Sequence, residues 1–448
     1  MLLKLSEAAQ ALNGEFRGDG EKIITGMFTD TRESFSGGLF FAQIGERVDG
    51  HTFVPALNAQ GFPCVVSEEE YFTGDNILVK NTELALGDLA RRWREKYVPG
   101  TKVAAVTGSV GKTTTKDMLG LALSSTFNTF VPKGNRNSVI GLPMSVSQLV
   151  PSHEYAVFEL GSSKPGEISY LSDIVRPHIS VITCIGSSHL EFFGTRDNIR
   201  KEKYGVISGE PEGGYLILDG DSDEEYAMRR YYRQYKLIYC GSAARCDFRT
   251  VDVVTRGGST VYSLVWEDGA LIVRLNAEGA HMVKDSAYAL AAAILCGADP
   301  DKAANALAGY APYGDRQRIY DKNGVTVIAD CYNASPESMR AAFGVLGARK
   351  GRKIAVLGDM LELGTDSPRI HAENAALASQ TADILIFVGE YAPVCAAACG
   401  EKKTYCFETD DKHSAAAALT GILERGDTVL FKGSRGIALD EIIKEADL

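Results

Sequence analysis

The stretch Val103-Ala104-Ala105-Val106-Thr107-Gly108-Ser109-Val110-Gly111-Lys112-Thr113-Thr114 constrains this chain more than any other. Its small apolar run reads as a strand buried on both faces. The glycines then permit a tight loop, and Lys112-Thr113-Thr114 opens a helix with Met118, Leu119 and Leu121 on its apolar face. Such a loop turns backbone N–H groups toward one point and adds the positive end of a helix dipole, which together make an anion site. Gly108, Ser109, Val110 and Gly111 would cradle phosphates, Lys112 would reach the outer ones, and Thr113, followed by Thr114, would bring a hydroxyl to Mg²⁺. The strict P-loop pattern wants glycine where this chain has Val106, and Gly108 sits inside the loop instead. A bare glycine turn is the plain alternative; the strand–loop–helix order favours a nucleoside triphosphate.

Charge narrows the partners. The chain has 47 basic and 58 acidic residues, a net charge of −11, which argues against general nucleic-acid binding. Anionic substrates must then be held by local loops and metal ions. No apolar run approaches the ~18 residues that span a bilayer, and Met1-Leu2-Leu3-Lys4-Leu5-Ser6 lacks the core of a signal peptide. Nine scattered cysteines without CxxC pairs suggest reduced thiols in a cytoplasm. Cys395 and Cys399 read as small helix-packing residues.

Strand and helix signals alternate through most of the 448 residues, which predicts an α/β protein of three blocks. Residues 1–99 carry short strands at Leu39–Ala42, Cys64–Val66 and Ile77–Val79. Residues 100–311 carry the P-loop strand, buried strands at Tyr155–Glu159 and Ser180–Cys184, a more polar β-rich insert from Tyr215 to Leu275, and an Ala-rich helix from Val283 to Cys296. The turn-rich Ala311-Pro312-Tyr313-Gly314 suits a hinge. Residues 312–448 predict strands at Val325–Ala329, Ile354–Leu357, Ile384–Val388 and Thr428–Phe431 in a mostly parallel sheet.

Four later segments accompany the short P-loop: Gly134-Asn135-Arg136-Asn137 running to Pro143, Phe158-Glu159-Leu160-Gly161 with Gly166-Glu167-Ile168, Ser188-His189-Leu190-Glu191, and Lys432-Gly433-Ser434-Arg435. In that order they resemble the Mur ligase family, the ATP-dependent amide ligases of peptidoglycan synthesis, over almost the whole chain. The resemblance implies a UDP-sugar-binding α/β domain, a central P-loop ATPase domain and a Rossmann-like C-terminal domain. Gly358-Asp359-Met360-Leu361-Glu362-Leu363-Gly364 and the Lys432–Arg435 segment look like the dipeptide-adding branch. That branch implies ATP, Mg²⁺, UDP-N-acetylmuramoyl-tripeptide and D-Ala-D-Ala as ligands of a cytoplasmic bacterial enzyme, expected to act as a monomer. Asp366-Ser367-Pro368-Arg369 mimics an amino-acid motif of a sister branch but reads as coincidence, since it falls at a variable turn. Another ligase of the same family, a folylpolyglutamate-synthase-like ligase and a non-catalytic P-loop protein are the rivals; the last would not need the residues that follow.

By the same resemblance, Glu159, His189 and Thr113 would ligate Mg²⁺, although imidazole is an unusual ligand for that ion and, on residue type alone, His189 reads as a cap or core residue. Lys203 falls where the family has a lysine carboxylated by CO2, with Lys201 as the nearby competitor on the same charged helix. Asn135 and Asn137 would sit between ATP and the tripeptide. His281 keeps the family's position on the adenine side, whereas Met282 and Asp285 replace its amides. Asp330-Cys331-Tyr332-Asn333-Ala334-Ser335-Pro336 resembles a loop that packs near the nucleotide through Asn333, and either Arg316 or Arg318 would be the interdomain arginine. Thr31, Arg32, Phe41, Asp49 and His51 match the uridine-nucleotide domain, and Asp359, Lys432, Ser434 and Arg435 the dipeptide side.

Overall fold

Alternate residues of the P-loop strand Lys102–Thr107 enter different cores, as a strand buried on both faces must. Val103 and Ala105 pack into one apolar cluster with Leu171 and Ile174, while Ala104 and Val106 pack into another with Met118, Leu119 and the Ala-rich helix Ala280–Leu295. The computed structural model describes residues 2–45, 47–312 and 314–448 and builds them around three main sheets. Tyr313, in the predicted hinge, lies outside the described residues.

The central sheet runs Thr129–Phe130, Tyr155–Glu159, Lys102–Thr107, Ile179–Ile182, Tyr215–Asp219, Lys236–Gly241, Phe248–Arg256, Ser259–Trp266, Gly269–Leu275. It is parallel up to Phe248–Arg256 and antiparallel beyond. The sequence predicts Tyr215–Leu275 as an insert; the structure corrects this, because those strands extend the P-loop sheet itself. They read as polar because the sheet's outer end is solvated on one face, giving alternation in place of a continuous apolar run. The Ala-rich helix begins at Ala280, three residues before its predicted start, and so brings His281 to the sheet's C-terminal edge.

In the first block, five short strands form a sheet in the order Glu15–Phe16, Asn76–Leu78, Cys64–Val66, Gly38–Phe41, Gly26–Phe28. The helix Thr82–Tyr97 that closes the block is bonded to its neighbour: Trp93 Nε1 donates to Leu149 O at 3.1 Å and Arg94 Nε to Val175 O at 3.2 Å. The C-terminal sheet orders Arg318–Lys322, Val325–Ala329, Thr428–Lys432, Lys353–Gly358, Ile384–Val388, Lys403–Phe407, and only its first strand is antiparallel. The two outer strands escape the sequence reading because none of their residues is buried, so neither forms an apolar run. All nine cysteines are free, with Cys395 and Cys399 buried in the helical layer. No helix among the described residues is long and apolar enough to cross a membrane.

One buried group works against this fold. Glu210 is 7% exposed and neither carboxylate oxygen has a hydrogen-bond partner. Burial pushes its pKa up to about 8. Below pH about 4.5 the carboxyl is protonated both folded and unfolded and costs nothing. Between there and pH 8 only the unfolded chain ionises freely, so stability declines as pH rises and levels off above. Glu210→Gln is therefore expected to raise stability at pH 8 by ~1–3 kcal/mol and much less at pH 5. Equal melting shifts at the two pH values would contradict this.

Candidate active site

The P-loop is held open by two residues in the left-handed region. Gly108 has φ +139° and Gly111 φ +85°; a Cβ would lie 2.1 Å from Thr183 Oγ1 at the first and 2.5 Å from Asp285 Oδ1 at the second. Helix Lys112–Ser124 starts at Gly111 without a side-chain cap, which leaves its first N–H groups available to an anion. Lys112 folds back over the loop, donating to Gly108 O at 2.9 Å and Ser109 O at 3.1 Å. Burial lowers its pKa, against the opposing pull of Glu159. Ser109 Oγ accepts from Gly186 N at 2.9 Å, which ties the loop to the segment leading to His189.

Glu159 ends its strand at the sheet's C-terminal edge, where open α/β sheets bind ligands. It is 5% exposed, and its two oxygens accept from Thr113 Oγ1 at 2.7 Å and Asn137 Nδ2 at 2.6 Å. His189 sits at φ +62°, with Nδ1 2.5 Å from Glu362 Oε2 of the C-terminal domain. That contact holds the Glu362 carboxyl below its usual pKa. Lys203 is 1% exposed and donates to Ser162 Oγ at 3.0 Å, one side chain behind the cavity wall. No carboxylate among the described residues lies within ion-pair distance of it. Burial, helped by repulsion from Lys112, drops its pKa to about 7. Lys201, its competitor in the sequence, is exposed.

The P-loop, Glu159 and His189 open onto one cavity of about 640 Å³ between the central and C-terminal domains. Ser109 to Thr114, Asn135, Asn137, Glu159 and His189 line one side; Arg316, Asn333, Lys432, Ser434 and Arg435 line the other. Arg316 stacks its guanidinium 3.7 Å from the centre of the Tyr332 ring, whereas Arg318 is exposed and pairs with Asp315. His281, Met282 and Asp285 also face the cavity. Burial lowers the His281 pKa and lifts that of Asp285 to about 8. Lys432 lines the cavity but spends its charge on Asp330 Oδ2 at 2.7 Å and Asn333 O at 3.1 Å, fixing the Asn333 loop. Ser434 Oγ accepts from Leu361 N at 2.9 Å, and Arg435 stands exposed at the rim.

Other predicted site residues are placed elsewhere. Asp359 lies away from the cavity, its carboxylate accepting from Glu390 N at 2.7 Å and Tyr391 N at 3.3 Å. Phe41 is fully buried in the first domain's core. His51 is also fully buried, with Nδ1 bonded to Asp49 Oδ1 at 2.8 Å and Nε2 accepting from Ser67 N at 2.9 Å. The Asp49, His51 and Glu68 ligand atoms lie within 4.8 Å of one another, but the free imidazole lone pair a metal would need is taken. Thr31 follows the Asp30 cap, and Arg32, 87% exposed in its side chain, pairs with Asp30. None of the five first-domain residues lines the cavity.

Three lining residues that join the domains are not singled out by the motif reading. Gln317 donates to Glu278 O at 2.6 Å, joining the domains behind Arg316. Glu337 Oε1 accepts from Ser187 N at 3.1 Å and Ser187 Oγ at 3.2 Å, so the C-terminal domain grips the His189 loop. Glu362 does the same through His189. Interdomain pairing leaves no local signature, although Glu337 directly follows the Asn333–Pro336 run and Glu362 lies within a quoted motif.

The chain matches three domain families in order: "Mur ligase family, catalytic domain" over residues 23–94, "Mur ligase middle domain" over 106–293 and "Mur ligase, glutamate ligase domain" over 315–435. It is 35% identical over 439 residues to the UDP-N-acetylmuramoyl-tripeptide–D-alanyl-D-alanine ligase of Bacillus subtilis, covering 95% of this chain and 93% of the relative. Among solved structures, MurF from Acinetobacter baumannii superposes with a TM-score of 0.92 at 30% identity, covering 100% of this chain and 99% of that one. The MurF ligase of Thermotoga maritima in complex with ADP gives 0.84 at 28% identity, covering 94% and 97%. A matching order of domains, full-length identity and the same three-domain fold have one explanation: the chain belongs to the Mur ligase family.

Proposed function

We propose that this protein joins D-alanyl-D-alanine to UDP-N-acetylmuramoyl-tripeptide with cleavage of ATP to ADP and phosphate, forming the UDP-linked pentapeptide used in peptidoglycan synthesis. The observation that carries the reading is the union in one cavity of an uncapped P-loop helix, the Thr113–Glu159–Asn137 cluster and side chains of the C-terminal domain. Full-length relatives bearing that activity in their names support it.

The tripeptide's terminal carboxylate attacks the γ-phosphorus of ATP, releasing ADP and leaving an acyl phosphate. The dipeptide amine then attacks the acyl carbon, forms the amide, loses its proton and expels phosphate. Little acid–base work is required; the protein positions reactants and stabilises charge. Lys112 swings from its loop carbonyls onto the outer phosphates, and the N–H groups after Gly111 hold them. Arg316 faces the same space from the third domain, and His281 and Asn333 flank the nucleotide. Asn135 and Asn137 lie between the phosphates and the acyl group. Lys432, Ser434 and Arg435 serve the dipeptide side, and Thr31 and Arg32 the nucleotide-sugar end. Asp359 acts at one remove, through Ser434. Closure of the cavity by the Glu337 and Glu362 contacts keeps water from the acyl phosphate.

The oxygen donors of Thr113 and Glu159 fit Mg²⁺, and His189 lines the same cavity; the ion would neutralise phosphate charge during transfer. A buried lysine without a counter-ion and with a pKa near 7 fits carboxylation by CO2, so Lys203 would present a carbamate to this site. The protein acts as a monomer in the cytoplasm, where ATP and nucleotide-sugars are available together.

ADP release measured against a panel of UDP-muramoyl peptides and second substrates tests the reading. We expect one ADP per amide formed, with sustained turnover only when the tripeptide and D-Ala-D-Ala are both present. ADP release indifferent to the dipeptide would overturn it.

A further inference from the structure

We propose that Lys116 is a positioning residue for this reaction, tying the asparagine loop at residues 132–137 to the P-loop helix and so holding Asn137 against Glu159. The inference rests on the ligase reading above. Lys116 is 1% exposed, which is rare for a lysine unless its charge is fully used. Its Nζ donates to Pro132 O at 3.0 Å and Gly134 O at 2.9 Å, and lies 2.9 Å from Asp117 Oδ1. An ammonium has three donors, so all are committed.

Two of the three go to the backbone of a segment with no helix or strand of its own. That segment runs from the end of strand Thr129–Phe130 to helix Gly141–Val146 and bends through Gly134 at φ +72°. It carries both Asn135 and Asn137 into the cavity. Asn137 then donates to Glu159 Oε1 at 2.6 Å, while Thr113 donates to Glu159 Oε2 at 2.7 Å.

Thr113 and Lys116 are one helical turn apart. One turn of the P-loop helix thus grips Glu159 twice, directly through Thr113 and indirectly through Lys116, the loop and Asn137. A ring of contacts of this kind fixes a carboxylate's direction better than either arm alone. Without Lys116, the loop keeps Asn137 O bonded to Gly161 N at 2.9 Å but loses both anchors on its far side.

A double-mutant cycle tests this, because a lysine that merely stabilises the fold would not be coupled to one asparagine. Lys116→Met and Asn137→Ala are each expected to lower kcat by about ten- to hundred-fold. The double variant should be no slower than the worse single within about two-fold. ADP affinity should stay near the wild-type value in Lys116→Met, since the P-loop N–H groups are untouched. Unchanged kcat in Lys116→Met, or effects of the two substitutions that multiply, would overturn the proposal. Should Lys116→Met fail to fold, Lys116→Gln enters the same cycle, with the same two outcomes decisive. Failure of the ligase reading would show in the wild-type control, which would then form no ADP from tripeptide and dipeptide.

Discussion

Lys203→Ala is expected to lose at least about a hundredfold in ligation rate, and acetate or formate should restore part of it. The predicted missing group is a carboxylate-like anion, which a small diffusing carboxylate can imitate in the space left by the side chain. A lysine acting only as a cation offers no such rescue. The chemistry also sets a pH dependence. Only the neutral amine takes up CO2, and burial has brought the Lys203 pKa to about 7, so carbamate loading should rise as pH passes through that value. A ¹³C-carbamate signal that appears with labelled bicarbonate in the wild type and is missing in Lys203→Ala would report this directly. Wild-type turnover in Lys203→Ala would remove the residue from the site, and rescue of Lys201→Ala in its place would move the role to that lysine.

Lys112→Ala should lower ADP formation at saturating ATP by about 10²–10³-fold, the usual cost of removing one preorganised donor from developing charge. Its folding cost should be about 1 kcal/mol or less, because the lost bonds to Gly108 O and Ser109 O are replaced by water at a cavity wall. The two measurements separate the roles: a large fall in melting temperature with modest loss of rate would mean that Lys112 braces the loop and does not bind phosphate.

The nucleotide half of the site is legible in the sequence because its parts are local. A buried strand, two glycines and a helix N-terminus lie within the run from Val103 to Thr114, and their geometry follows from spacing alone. Glu159 was readable for a similar reason: it terminates an apolar run, and the end of such a strand falls at the sheet's C-terminal edge. The first domain shows the limit of that reasoning. Leu39-Phe40-Phe41 and Asp49-Gly50-His51 match a motif, yet Phe41 and His51 are fully buried. A motif records which residues occur together, not which of them face a ligand.

By itself, then, the sequence determined an α/β chain with a phosphate loop, a carboxylate at Glu159 ending a buried strand, and a family whose motifs recur in order. Its information is carried by neighbours along the chain, where period and spacing translate directly into geometry. The tertiary structure alone set Lys203 apart from Lys201, which share one charged helix but differ in burial, and Arg316 apart from Arg318, of which one stacks on Tyr332 in the cavity and the other pairs with Asp315 in solvent. It alone brought Glu337 to Ser187 and Glu362 to His189, and it alone bent the 132–137 loop back onto Lys116. Each of these contacts joins residues from separate elements, and their pairing follows from how helices and sheets pack, which no local pattern encodes.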